Sequence, residues 1–237
     1  MNSAELWCIS LDQDPALIEK LGGILDDSER NRAAKFKFDR DRMRWIVAHA
    51  TLRILLARKI KFHPSEIRFS TTQTGKPFIS HPLETVAFNL SHSGDIAIFA
   101  ITPTEPVGVD TEPFKRAEEL APCTDEFLHP LEKARLAQCD TLEEQHRLLI
   151  TTWCAKEAYL KAIGTGLSIP LSDLALSWKD GALASLHVAG NEDKRYRIHF
   201  PQYPETKEFC VALALPAEFT CPKIVSLSTE MLRESIR

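Results

Sequence analysis

Apolar residues recur along this chain with two alternating periods, and together they predict an α/β protein. Leu6 to Leu11 (L-W-C-I-S-L) reads as a first strand, and Pro15 to Leu25 has a helical pattern ending near Asp26-Asp27. Ser28 is placed to cap a following helix that carries a run of basic residues and continues from Arg44 to Lys59. Within it Ile46, Val47, Ala50, Ile54, Leu55 and Ala57 fall near helical spacing, so one face is core. Ile67 to Ser70 and Val86 to Leu90 predict strands, separated by a turn at Thr74 to Pro77 (T-G-K-P). Ile96 to Ile101 (I-A-I-F-A-I) predicts a buried strand. The two-proline connection Thr102 to Pro106 is then the best candidate for a boundary between subdomains, placing residues 1–104 in one and 105–237 in the other.

The second half opens on Val107 to Glu112 (V-G-V-D-T-E). Glu118 to Cys139 and Leu142 to Ile150 are polar and helical, punctuated by Pro122 and Pro130. Trp153 to Leu167 (W-C-A-K-E-A-Y-L-K-A-I-G-T-G-L) predicts a helix stopped by Gly164 and Gly166. Leu174–Trp178, Leu183–Val188, Tyr196–Phe200 and Phe209–Leu215 predict short strands, mostly antiparallel, with turn residues at Asp180-Gly181 and Gly190-Asn191.

Candidate chemistry concentrates in two of these stretches. Glu157 and Lys161 are four apart on one helix and project from the same face. Such a pair is commonly a solvated ion pair, but aromatic and alanine neighbours and the G-T-G turn favour a partly buried acid and base. Asp110 and Glu112 are two apart, so on a strand they point to the same side and repel unless a cation or protons lie between them. A solvated strand end is the alternative. With Glu157 they would complete an oxygen-ligand set for Mg²⁺, which takes few protein carboxylates and fills its shell with water and phosphate.

Charge sharpens this picture. The net charge of −4 over 237 residues argues against nucleic acid as the main partner. Yet Arg30 to Lys61 holds eleven Lys or Arg against two acids, Asp39 and Asp41, so an anionic ligand or partner is expected there unless the stretch is merely solvated. Arg44 and Arg53 could point toward that ligand, while Arg58 and Lys59 read as solvated. His49, among apolar neighbours, reads as a structural histidine. The six cysteines have no metal-ligand spacing and read as small buried hydrophobes in a reducing compartment. With no apolar run of membrane length and no leader pattern, a cytoplasmic protein without a membrane anchor is expected.

The strand G-V-D-T-E and the helix W-C-A-K-E-A-Y-L-K, preceded by F-N-L-S-H-S, resemble the Sfp-type 4′-phosphopantetheinyl transferases from about Arg30 to Leu167. In that family a G-(I/V)-D-x-E strand precedes a W-(T/C)-x-K-E-(A/S)-x-x-K helix. The resemblance implies an α/β (α+β) fold of two similar halves related by a pseudo-twofold axis, each a mostly antiparallel sheet packed with helices. It implies Mg²⁺ at Asp110, Glu112 and Glu157, with Glu157 and Lys161 catalytic. It also implies coenzyme A contacts from Arg40, Arg44, Lys76, Pro77, Ser91, His92, Asp110 and Lys161. Lys76 and Pro77 would line the adenine and phosphate end, and His92 would meet the 3′-phosphate. Thr111 between the acids and Trp45 after Arg44 depart from the commonest pattern.

Metal, cations and histidine together suit a pyrophosphate-containing nucleotide. By resemblance the reaction transfers 4′-phosphopantetheine from coenzyme A to a serine of an acidic acyl or peptidyl carrier protein, releasing 3′,5′-ADP, and a monomer is expected. The base would be Glu157 or water at the metal, while Lys156 would point away from the site. A metal-dependent phosphodiesterase acting on coenzyme A-like nucleotides, or a non-catalytic coenzyme A-binding module, would use the same residues differently.

Overall fold

The computed structural model describes residues 3–179, 182–188, 190–202 and 208–236. The first half runs β1 (Glu5–Ser10), α1 (Pro15–Gly23), α2 (Asp27–Ala33), α3 (Asp39–Ile60), β2 (Arg68–Thr71), β3 (Pro77–His81), β4 (Ala87–Ser93) and β5 (Ile96–Thr102). The second runs β6 (Gly108–Pro113), α4 (Ala117–Leu120), α5 (Thr124–Phe127), α6 (Pro130–Leu136) and α7 (Leu142–Ile163), then β7 (Leu174–Lys179), β8 (Ala182–Val188), β9 (Asn191–Glu192), β10 (Tyr196–His199) and β11 (Phe209–Pro216). The chain closes with β12 (Ile224–Ser226) and α8 (Thr229–Glu234).

The same unit occurs twice. In the first sheet the order is β1-β5-β4, and in the second β6-β11-β10: the first strand of each half pairs with its last, which pairs with the one before. Each half holds a helix of 22 residues, α3 or α7, ending in a left-handed residue, Lys61 at φ 55° or Gly164 at φ 70°. A hairpin follows each helix, β2-β3 or β7-β8. These pairings are antiparallel, as expected, whereas β12 returns to run parallel beside β1.

The central strands explain why their sequences are unbroken apolar runs. Ala97, Phe99 and Ile101 of β5 face α3, while Ile96, Ile98 and Ala100 join a third cluster with Val109, Val211 and Leu213 of the other sheet. Likewise Cys210, Ala212 and Ala214 of β11 face α7. Buried on both sides, these strands have no polar face to alternate with. On β6, Gly108 turns toward α7, where a Cβ would lie 2.0 Å from the Ala158 carbonyl oxygen, so only glycine lets the helix approach this closely.

A buried cation braces each half. Arg53 and Lys156 are both the fifteenth residue of their helices, and both are fully buried. Arg53 donates to Glu29 and Asp26 at 2.7 Å each and to the Pro64 and Ile67 carbonyls. Lys156 donates to Glu132 at 2.5 Å and to the Phe127 and Leu171 carbonyls. Glu29 and Glu132 are each the third residue of a capping box on the preceding helix. Arg53 therefore does not face a ligand, and Lys156 does point away from the acids of β6, into a buried pair.

Two local expectations change. Asp26, not Ser28, caps α2: its carboxylate accepts from the Glu29 backbone while Glu29 accepts from that of Asp26. Nor is the basic stretch one helix. It breaks at residues 34–38, where Phe36 folds in against Trp45 with ring centroids 6.1 Å apart. In the second half, Leu142–Ile150 and Trp153–Ile163 merge into α7, while residues 118–139 divide into short helices. The turn at Asp180-Gly181 lies outside the described residues, whereas Gly190, at φ 80°, stands in the turn that brings Asn191 of β9 opposite Val188 of β8. Cys8, Cys154 and Cys210 are buried, Cys123 and Cys139 are partly buried, and Cys221 is exposed. Among the described residues no helix is long and apolar enough to cross a membrane.

Candidate active site

The site lies where the two halves abut, and a polar alternation on β4 builds it. Asn89, Ser91 and Ser93 are two apart and face β6. Asn89 accepts from the Val109 backbone at 2.8 Å, and Ser91 Oγ accepts from that of Thr111 at 3.3 Å and donates to Asp110 Oδ1 at 2.9 Å. Ser93 donates to Glu112 Oε2. Side chains thus stitch the edges of the two sheets together and fix both acids of β6.

Asp110 and Glu112 share the α7-facing side with Gly108, and both are buried. Lys161 Nζ donates to Asp110 Oδ1 at 2.6 Å, to Ser91 Oγ at 3.2 Å and to the Val109 carbonyl at 3.2 Å. Asp110 Oδ2 is buried with no hydrogen-bond partner. One turn before Lys161, Glu157 has its carboxyl pushed up, first by burial and then by the Asp110 charge, against the opposing pull of Lys161 and Arg116. Glu112 accepts from Ser93 and Arg116, whose guanidinium also lies over the Trp153 ring at 5.7 Å. Among the described residues, no three His, Cys, Asp or Glu side chains are gathered as a ready metal cage. The arrangement instead leaves one carboxylate oxygen bare beside a carboxyl that resists ionising, the electrostatic signature of a place that accepts positive charge.

The first half supplies the opposite wall. Thr74, Gly75, Lys76 and Pro77 line a cavity of about 230 Å³ together with Asn89, Glu157, Leu160, Lys161 and Gly164. The hairpin tip is tied to the end of α7: Thr74 Oγ1 donates to the Gly164 carbonyl, and Lys76 Nζ donates to the Ala162 carbonyl at 2.8 Å and that of Val107 at 3.2 Å. Burial lowers the Lys76 ammonium to about 8.

His92 belongs to β4 itself, paired with Ala97, and the turn follows it at Gly94. Its ring is exposed, yet its surroundings and the Lys161 charge hold its pKa below the ordinary value. Arg44 forks onto both oxygens of Asp12 at 2.8 and 2.9 Å and donates to the Gly94 carbonyl at 2.7 Å, bracing that turn. Arg40 is exposed and pairs loosely with Asp41 at 3.3 Å. Position 49 behaves as expected: His49 stacks on Trp45 at 3.8 Å, and burial pushes it down to about 3, so it stays neutral. Ser93, Arg116 and Asp12 were not among the expected residues. The N-x-S-x-S alternation through Asn89, Ser91 and Ser93 was the available signal for Ser93, as was the four-residue spacing from Glu112 for Arg116.

Comparison with known proteins agrees with this architecture. The sequence profile of the 4′-phosphopantetheinyl transferase superfamily matches residues 106–214, and that of the 4′-phosphopantetheinyl transferase N-terminal region matches residues 15–104. A phosphopantetheinyl transferase of Thraustochytrium sp. is 31% identical over 83% of this chain and 72% of its own length. The 4′-phosphopantetheinyl transferase HetI of Nostoc sp. is 30% identical over 70% of this chain and 71% of its own. The 4′-phosphopantetheinyl transferase Sfp of Bacillus subtilis is 29% identical over 80% of each. The chain belongs to the 4′-phosphopantetheinyl transferase family and is an enzyme of that class.

Proposed function

We propose that this enzyme transfers 4′-phosphopantetheine from coenzyme A to a serine hydroxyl of an apo acyl or peptidyl carrier protein and releases 3′,5′-ADP. The observation that carries the reading is the junction of Asp110, Glu157 and Lys161, where a bare buried oxygen, a carboxyl held up in pKa and an ammonium converge.

The residues present fit a divalent cation, because the unpartnered Asp110 Oδ2 and the Glu157 carboxyl beside the Asp110 charge both gain from one. Asp110, Glu112 and Glu157 would hold Mg²⁺, which when bound neutralises pyrophosphate charge and orients it. Lys161 stabilises negative charge on the phosphate under attack. Glu157 is the carboxylate placed to take the serine proton. Lys76 and Pro77 line the nucleotide side, where Lys161 also reaches Ser91. His92 and the exposed Arg40 would meet the 3′-phosphate, and Arg44 holds the His92-bearing turn through the Gly94 carbonyl.

The halves divide at 104/105, a reading supported by the repeated strand order, with 217–236 returning to pack beside β1. Both halves of one chain meet at the site, so a monomer suffices, and the unbridged Cys154 and Cys210 suit the cytoplasm. The test is product analysis with purified enzyme, coenzyme A and Mg²⁺, with and without apo carrier. Formation of 3′,5′-ADP only when carrier is present supports transfer, whereas carrier-independent release of phosphopantetheine would make the protein a hydrolase.

A further inference from the structure

We propose that the carrier protein docks by an acidic face on the exposed segment joining α2 to α3, with Phe38 as its apolar anchor. The proposal rests on the transferase reading and names the surface that receives the acceptor. Its first support is how the segment is folded. Phe36 turns inward against Trp45, so its neighbours Lys35 and Lys37 turn outward, and both are exposed. Phe38 is 59% exposed, and Lys37 Nζ stands 5.3 Å from its ring centre. Phe38 thus presents apolar surface at the same spot as two cations, a combination that one protein face can cover.

Charge is the second support. Among the described residues neither Lys35 nor Lys37 has an ion-pair partner, in a protein whose net charge is −4. The acids of the following turn are engaged locally, Asp39 with Arg42 at 3.0 Å and Asp41 with Arg40 at 3.3 Å. Free positive charge is therefore concentrated at 35–37, where it attracts an acidic partner and speeds encounter. A nucleotide phosphate would use the lysines but leave Phe38 bare, whereas an acidic protein face with an apolar patch covers both.

Position is the third. Phe38 caps the start of α3, and Arg44 lies about 9 Å further along that helix by its rise per residue. Arg44 holds the Gly94 carbonyl, and Ser93 beside it touches Glu112. Phe38 therefore starts the same helix whose Arg44 reaches the turn next to Ser93, which holds an acid of β6.

The test is steady-state transfer to an apo carrier, titrating carrier and coenzyme A separately, for wild type, K35Q/K37Q, K35E/K37E and F38S, each checked for unchanged melting temperature. The expected result is a KM for carrier raised a few-fold by the glutamines and at least about tenfold by the charge reversal or F38S. The kcat and the KM for coenzyme A should stay within twofold. Rising salt should weaken the wild type toward the charge-reversed variant. Unchanged carrier KM would overturn the docking surface while leaving transfer intact. A raised KM for coenzyme A alone would overturn it too, by making these lysines nucleotide contacts. No transfer by wild type to any carrier would overturn the transferase reading, and this surface with it.

Discussion

Lys161 on α7 and Asp110 on β6 meet at 2.6 Å across the helix–sheet junction, and that contact uses only one oxygen of the aspartate. Its other oxygen is buried and unpaired, so the site is assembled yet electrostatically incomplete. The lysine holds the acid in place; in the proposed reading a cation and phosphates would complete the set. Replacing Lys161 by alanine removes both the brace and the charge proposed to meet phosphate. We expect kcat/KM to fall by about 10²- to 10³-fold, as when a preorganised donor to developing charge is deleted. Steady-state kinetics check this, and a loss below tenfold would remove Lys161 from the chemistry.

Glu157→Gln separates function from stability. The folded-state pKa of Glu157 is raised, so the native protein binds more protons than the unfolded chain just above the ordinary carboxylate range. Stability contributed there falls as pH rises, and at pH 7 the ionised group opposes folding. Glutamine should therefore raise the metal-free melting temperature by roughly 2–4 °C while turnover is nearly lost. Mg²⁺ should stabilise the wild type in thermal melts and leave the variant unmoved. A variant that melts lower than wild type without metal would contradict this placement of Glu157.

Lys156, though adjacent to Glu157, serves the fold. Replacing it by alanine strands Glu132 and two carbonyls in the interior, and should cost about 3–5 kcal/mol in denaturant unfolding. The KM for coenzyme A measured on the folded fraction should stay near the wild-type value. A large rise there with little lost stability would make Lys156 a phosphate contact.

Lys76 titrates within reach of experiment. Its folded pKa of about 8 lies below the ordinary 10.5, so between those values the unfolded chain binds more protons and stability rises with pH. Lys76→Met removes that rise. The stability difference between wild type and variant should shift in favour of wild type from pH 8 to pH 10, read by urea unfolding. A flat difference would mean that the ammonium is not buried between the Val107 and Ala162 carbonyls.

Much of this was legible in the sequence because it rests on local spacing. Glu157 and Lys161 share a face by helical periodicity, and Asp110 and Glu112 share one by strand alternation. The buried strands showed as apolar runs because each sheet is covered on both sides. What stayed hidden depends on contacts between distant segments. Arg44 meets Asp12 and Gly94, Arg53 meets Asp26 and Glu29, and β12 returns to β1, none of which has a periodic signature. The break at 34–38 was missed because the inward turn of Phe36 onto Trp45 outweighs the helical propensity of its neighbours. The topological repeat was expected only from the family resemblance, because residue spacing does not show it.

The most direct test of the central claim is the intact mass of a purified apo carrier protein after incubation with this enzyme, coenzyme A and Mg²⁺. The expected result is a gain of one phosphopantetheine, abolished by EDTA and by Glu157→Ala. No gain across several unrelated carriers, with coenzyme A nonetheless bound or hydrolysed, would contradict it.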